Sequence, residues 1–242
     1  MKKVKKVIIS DFDDTLYVNN KISDKDIKSI DKFREAGNLF VIATGSSYTS
    51  FLRKLGNSKL NYDYLIVNHG STIFKENNIM FNEVLDFNIL KEIVKKYNLE
   101  DNNNYTLVKN TLGNFFSTAR EGLVKPYTKN ITKIHLEFTD ENFKKEFGYL
   151  KANYGEKINI YEISSNNLEI ISSKASKLIA IEKVLNEEKI NISNVYAIGD
   201  GNSDIEMIKK YNGYAMNSSV FELKKYCIKE VSSVSELIKD LL

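Results

Sequence analysis

Only one cysteine, Cys227, occurs in the 242 residues of the chain. No intrachain disulfide can form, and the chain alone cannot build a cysteine-based zinc site. A reducing, cytoplasmic setting is therefore the expectation. Proline is equally scarce, with Pro126 as its single instance, in a stretch that reads as a loop. No apolar run approaches the ~20 residues that a membrane-spanning helix needs. The opening "MKKVKKVIISDF" is basic, but its apolar part is too short for a secretory signal and ends in acids. An excess of one charge is also missing. The net charge is +3, with lysine and arginine scattered along the chain, whereas nucleic-acid or membrane binding favours a clustered basic face. Tyrosine and phenylalanine recur at core spacing and form no stacking platform for bases. Neither nucleic acid nor membrane is expected as a partner.

What is present is an ordinary folding composition, 42% hydrophobic and 28% charged, on a chain long enough for one large domain carrying a smaller one. "KVIIS" reads as a strand buried on both faces. "SDKDIKSIDKFREAG" follows with helical spacing, Ile27, Ile30 and Phe33 sharing a face, Ser23 capping the start and Gly37 marking the end. "NLFVIAT", "SSYTSFLRKLG" and "YDYLIVNHG" continue as strand, helix and strand. That alternation predicts right-handed crossovers and a parallel sheet. The tail repeats it, with "KASKLIAIEKVLNEE" and "NSDIEMIKKY" as helices around the strand "VYAIGD".

Between about residues 80 and 170 the rhythm changes to α+β. "DFNILKEIVKKYN" and "ENFKKEFGYLKANY" read as helices, and "YTLVK", "FFSTA" and "KIHLEF" as strands. "KINIYEIS" and "LEIIS" read as a hairpin turning at Asn166-Asn167. The fold expectation is an α/β, Rossmann-like parallel-sheet core, residues 1–82 and 172–242, interrupted by an inserted α+β domain, residues 83–171.

In an open parallel sheet, ligands bind beyond the carboxyl ends of the strands. After the first strand come Asp11, Asp13, Asp14 and Thr15, after the second Thr44-Gly45-Ser46, and after a later one Gly199-Asp200-Gly201-Asn202-Ser203-Asp204. Like charges this close raise each other's pKa unless a cation sits between them. Asp11, Asp13 and Asp200 offer hard oxygen ligands suited to Mg²⁺. A threonine hydroxyl beside glycine at a helix start offers donors to a phosphate. A carboxylate can attack phosphorus to give an aspartyl-phosphate, and Asp13 stands two residues from Asp11 as a partner acid/base. Each pattern taken singly is common as a solvated turn; the ordered set of three is not.

"DFDDT", "ATGS", the lysine in "SKASKLIAI", and "IGDGNSD" resemble the four motifs of the haloacid dehalogenase superfamily, and the placing of the insert resembles the C2 cap of its Cof-type phosphatases. The resemblance implies Asp11 as nucleophile and Asp13 as general acid/base. It implies that Thr44, Gly45, Lys177 and Ser203 bind substrate phosphate, with Lys177 preferred over Lys174. It implies Mg²⁺ on Asp11, Asp200 and the main-chain carbonyl of Asp13, with Asp204 behind them. Asp14 takes a position that is glycine in many relatives. Ser46 replaces a common arginine, Ser203 a usual asparagine, and Asn217-Ser218 a Gly-Asn pair. The implied reaction is hydrolysis of a small phosphorylated metabolite, a sugar phosphate or a phosphorylated cofactor. A phosphomutase, a phosphotransferase and a silent phosphate-binding protein share the motifs. A receiver domain shares the acid chemistry, although it is about half as long and has no insert. His69 reads as a turn residue and His135 as one face of a strand.

Overall fold

The computed structural model describes residues 5–97, 105–110, 115–117, 130–138 and 142–242. Pro126 and most of "DNNNY" lie outside these.

The chain opens with β1 (Val7–Ser10), a small hairpin of β2 (Tyr17–Val18) and β3 (Lys21–Ile22), and α1 (Asp24–Glu35). Next come β4 (Leu39–Ala43), α2 (Tyr48–Leu55), β5 (Tyr64–Val67), β6 (Thr72–Lys75), β7 (Asn78–Asn82) and α3 (Phe87–Tyr97). The insert continues with β8 (Tyr105–Asn110), β9 (Phe115–Ser117), β10 (Ile131–Glu137), α4 (Phe143–Tyr154), β11 (Ile158–Ser164) and β12 (Asn167–Ser172). The tail supplies α5 (Lys177–Glu187), β13 (Val195–Gly199), α6 (Ile205–Lys210), β14 (Asn212–Met216), α7 (Phe221–Lys224), β15 (Lys229–Val231) and α8 (Val234–Leu241).

The main sheet has the order β15-β14-β13-β1-β4-β5-β6-β7. All neighbours from β15 to β5 pair in parallel, which requires helical crossovers. β1 sits in the middle because it is apolar on both faces: Val7 and Ile9 join one core cluster, with α5 and α6, and Ile8 joins the other, with α1, α2 and α8. Each such side chain contributes about 1.5–3 kcal/mol on burial. Helix starts follow the hydroxyls, since Ser23, Ser47 and Ser176 each accept a backbone N–H in the first turn.

Two features depart from a purely parallel sheet. β6 and β7 extend the edge antiparallel, and β2 with β3 forms a separate hairpin after β1. Both hairpins turn through two residues with positive φ, Asn19-Asn20 and Glu76-Asn77, the geometry that matches strand twist. Asparagine tolerates that region without glycine.

The insert forms a second sheet, antiparallel throughout, of order β11-β12-β10-β8-β9. Its β11–β12 turn is Ser165-Asn166, because Ser164 pairs with Asn167, one residue earlier than the sequence suggests. Ile134, Leu136, Leu168 and Ile170 pack with Leu90, Ile93 and Val94 of α3 and with Phe143 and Leu150 of α4. Alternation then fixes the opposite face of the sheet, which carries Lys133, His135, Tyr161 and Glu169. That polar face meets the carboxyl ends of the core strands.

Candidate active site

Asp11 leaves the buried end of β1, with its N–H donated to the Ile198 carbonyl of the neighbouring β13 at 2.9 Å. Its carboxylate is buried and accepts from the Lys177 ammonium at 2.6 Å. Lys177 is the first residue of α5 and also donates to Asp204 Oδ1 at 2.7 Å. Lys174 is exposed. The other oxygen of Asp204 accepts the N–H groups of Asp200 and Gly201. Gly199 has to be glycine for this packing, since a Cβ there would lie 2.6 Å from Asp204.

Asp11, Asp200 and Asp204 bring carboxylate oxygens within 4.8 Å of one another. Burial, followed by repulsion from Asp204, pushes the Asp11 carboxyl well above its ordinary range. Burial likewise lifts Asp200 to about 6, with Asp204 and Asp14 adding to the shift and the Thr15 hydroxyl, 2.7 Å from Oδ1, opposing it. Burial works against the charge on Lys177, but Asp11 and Asp204 outweigh it and hold its pKa above the ordinary lysine value. One ammonium therefore faces three carboxylates. The all-oxygen donor set and the uncompensated charge fit a hard divalent cation.

The Asp13 carboxylate is not part of that cluster. It turns to the other side, where it accepts from the Thr44 hydroxyl at 3.1 Å and the Ser46 hydroxyl at 2.8 Å, and pairs with Lys54 of α2. Asp14 is exposed with φ +58°, a conformation that glycine adopts without strain. The three acids after β1 are thus divided among an acid cluster, a hydroxyl turn and solvent.

Thr44 and Gly45 follow β4. The Thr44 Oγ1 atom accepts the Ser46 N–H at 2.9 Å while donating to Asp13. Gly45 lies against His69, whose Cε1 would be 2.3 Å from a Cβ at that position. His69 has φ +55° and is buried, and its ring stacks on Tyr161 of β11 at 4.1 Å. Its Nε2 meets Glu169 Oε2 at 2.7 Å, and Glu169 also accepts from Lys133 at 2.8 Å and lies 3.5 Å from His135. Burial lowers the His69 pKa against the pull of Glu169, so the ring is neutral and donates from Nε2. Burial alone would lift the Glu169 carboxyl, but Lys133 and the two histidines outweigh it and hold it well below the ordinary range.

Ser203 lies in the short turn Asn202–Asp204 and borders two adjoining clefts. The smaller, about 380 Å³, contains Asp11, Asp13, Gly45, Lys54, Lys133 and Lys177. The larger, about 900 Å³, runs between β11 and the core past Tyr161, Glu162 and Glu206. The structure thus gathers Asp11, Asp13, Gly45, Lys177, Asp200, Ser203 and Asp204 around one opening, with Thr44 buried behind it against Asp13. Sequence reading did not single out Lys54, Lys133 or Glu169, it named Thr15 in the first motif without a role, and it left His69 as a turn residue without its partner. The legible signal for Lys133, His135 and Glu169 was the polar alternation of two insert strands.

The haloacid dehalogenase-like hydrolase family model matches residues 8–236. The chain is 29% identical to the protein named "Putative phosphatase BU028/BU029" of Buchnera aphidicola subsp. Acyrthosiphon pisum, over 90% of this chain and 87% of that one. It is 27% identical to the 5-amino-6-(5-phospho-D-ribitylamino)uracil phosphatase YcsE of Bacillus subtilis, over 88% and 84%. Among solved structures, TM0651 from Thermotoga maritima superposes with a TM-score of 0.83 at 18% identity, covering 98% of this chain and 97% of that one. The same capped α/β architecture recurs in the protein named "putative HAD/COF-like hydrolase" of Plasmodium vivax, with a TM-score of 0.81 at 18% identity and cover of 98% and 95%. With its motifs, its capped fold and a family match over nearly its whole length, the chain belongs to the haloacid dehalogenase-like hydrolases.

Proposed function

We propose that this phosphatase is a cytoplasmic, Mg²⁺-dependent enzyme that hydrolyses a small phosphorylated metabolite through an aspartyl-phosphate on Asp11. One observation carries the reading: Asp11 and Asp13 diverge, the first to Lys177 at 2.6 Å and the second to the Thr44–Ser46 turn. A nucleophile and an acid/base need such separate settings.

The Asp11 carboxylate attacks phosphorus while the bond from phosphorus to the leaving oxygen breaks, and Asp13 gives that oxygen its proton. Asp13 then takes a proton from water as the water oxygen attacks the phosphoryl group. Phosphate leaves and Asp11 is restored. Thr44 and the Gly45 N–H hold the transferring group, Lys177 offsets charge between it and Asp11, and Ser203 borders its oxygens. Asp11, Asp200 and the Asp13 main-chain carbonyl would hold Mg²⁺, with Asp204 fixing Lys177 and the Asp200 loop behind them. The ion would supply positive charge against the acids and the phosphate.

Within this reading, residues 1–82 and 172–242 form the catalytic core, and residues 83–171 form the cap that sets specificity. The larger cleft, about 900 Å³, has room for a leaving group of sugar or cofactor size. Its tyrosine and two glutamates favour a hydroxylated partner. The Bacillus subtilis relative is named for a substrate with a phosphorylated ribityl chain, and such a polyol phosphate heads the panel to test.

The test is phosphate release from para-nitrophenyl phosphate and from a panel of phosphorylated metabolites, with Mg²⁺. Asp11→Asn should lower kcat by on the order of 10⁴-fold, and Asp13→Asn should leave a trapped phosphoenzyme or a similarly slow enzyme. Hydrolysis that survives Asp11→Asn rules the mechanism out.

A further inference from the structure

The turn that holds Thr44 and Gly45 is supported from two sides. The Thr44 carbonyl accepts the His69 N–H at 3.2 Å, and the Ser46 carbonyl accepts the Asn68 N–H at 2.9 Å. Both donors belong to the core. The Gly45 carbonyl between them accepts the Lys133 ammonium at 2.8 Å, and Lys133 belongs to β10 of the cap.

Burying this lysine is expensive. Its side chain is 1% exposed, and a buried ammonium costs several kcal/mol unless it is paired and hydrogen-bonded. Glu169 supplies the pairing at 2.8 Å, held in turn by His69 at 2.7 Å. A serine or threonine on this polar sheet face would avoid that cost, but it could not reach a carbonyl in the core.

The ammonium also lies at the head of a continuous chain of hydrogen bonds. Lys133 Nζ donates to the carbonyl of the Gly45–Ser46 peptide. The N–H of the same peptide donates to Thr44 Oγ1 at 2.9 Å, and the Thr44 hydroxyl donates to Asp13 Oδ2 at 3.1 Å. Charge at one end of such a chain polarises each following bond and narrows its geometry. With its oxygen committed to Ser46 N–H, the Thr44 hydroxyl hydrogen is directed to Asp13.

We propose that Lys133 is a positioning residue, through which seating of the cap orders the Thr44–Gly45–Ser46 turn and aims the Thr44 hydroxyl and the Asp13 carboxylate. The proposal rests on the reading of this turn as the phosphate site. It makes the cap part of the reaction geometry as well as the wall that selects the leaving group. A core whose cap is displaced loses the Gly45 contact and with it the set of the turn.

Lys133→Met keeps most of the apolar stem but removes the ammonium that offsets the Glu169 charge, so the decisive variant is Lys133→Met/Glu169→Gln. Lys174→Met, at an exposed lysine before α5, serves as control. The double variant should fold with a melting temperature above that of Lys133→Met alone. Its kcat on para-nitrophenyl phosphate, a substrate with little for the cap to recognise, should fall by on the order of 10- to 100-fold. Inorganic phosphate, measured by calorimetry, should bind more weakly by roughly 10-fold. A merely structural pair would give the recovered melting temperature with unchanged kcat and phosphate affinity, and that result overturns the proposal. If the wild-type chain turns over no phosphomonoester, the phosphatase reading fails. The Lys133 proposal is then decided by phosphate binding, and equal affinity in both chains, or none in either, overturns it.

Discussion

Two ionic networks meet at the cleft, and they are built on opposite principles. On the core side Asp11, Asp200 and Asp204 surround Lys177, leaving carboxylate charge in excess. On the cap side Glu169 is matched by Lys133 and flanked by a neutral His69. The first leaves negative charge that a bound cation would offset, and the second is balanced by its own residues. Buried charges are tolerated when they are paired, so the imbalance sets the core network apart as the candidate site of reaction. The balanced network marks where geometry is held.

The contrast breaks most sharply at Lys177. Lys177→Met should lower kcat by on the order of 10³-fold, because it removes a preorganised cation from the site of charge development. It should also cost about 3–5 kcal/mol of stability, as expected when a buried pair loses one partner. Kinetics and thermal melting check both, and added Mg²⁺ should restore part of the melting temperature without restoring kcat.

A smaller effect is expected at Lys54, which pairs with Asp13 from α2 and is about 30% exposed. Lys54→Ala should reduce kcat/KM roughly 10-fold, a fraction of the 10²–10⁴ that an acid/base contributes. Restoring arginine at the neighbouring position, as Ser46→Arg in the Lys54→Ala background, should recover most of it. Failure of that rescue would show that the site needs Lys54 itself.

The gentlest test uses pH. Burial lifts Asp200 from an ordinary 3.8 to about 6 and raises Asp11 as well. The folded chain then holds these protons more tightly than the unfolded one, so with chelator present stability should fall as pH rises from about 4 to about 6 through Asp200, and Asp11 adds to the fall in the same direction. Mg²⁺ competes with those protons, so its stabilisation should be small at pH 5. At pH 7.5 it should reach roughly 5–10 °C with Mg²⁺ at a hundred times its Kd. An equal Mg²⁺ effect at both pH values would show that the ion does not bind these acids.

The same contrast explains what the sequence disclosed. Acids after an apolar strand have few places to go except the carboxyl edge of the sheet, so Asp11, Thr44 and Asp200 could be read from their neighbours. Lys177 was legible through the resemblance of "SKASKLIAI" to a family motif. Lys54, Lys133, His69 and Glu169 could not be read in this way. Their contacts join residues 36 to 100 positions apart, and in a chain with 35 lysines and arginines strand alternation gave the face of Lys133 and Glu169 but not their partners. The antiparallel edge of β6 and β7 was hidden for another reason, since its turn is Glu76-Asn77 and has no glycine to announce it.

The contact between Gly45 and the His69 ring has a consequence for how this site can vary. Positions 45 and 69 share one volume, in which the absent side chain of the first is the space taken by the ring of the second. A substituent added at 45 therefore has to be matched by a smaller residue at 69, where the left-handed backbone already suits glycine. Such an exchange would release Glu169 and Tyr161 from the histidine. In this chain the size of one residue in the Thr44–Ser46 turn and the wiring of the cap are therefore tied together.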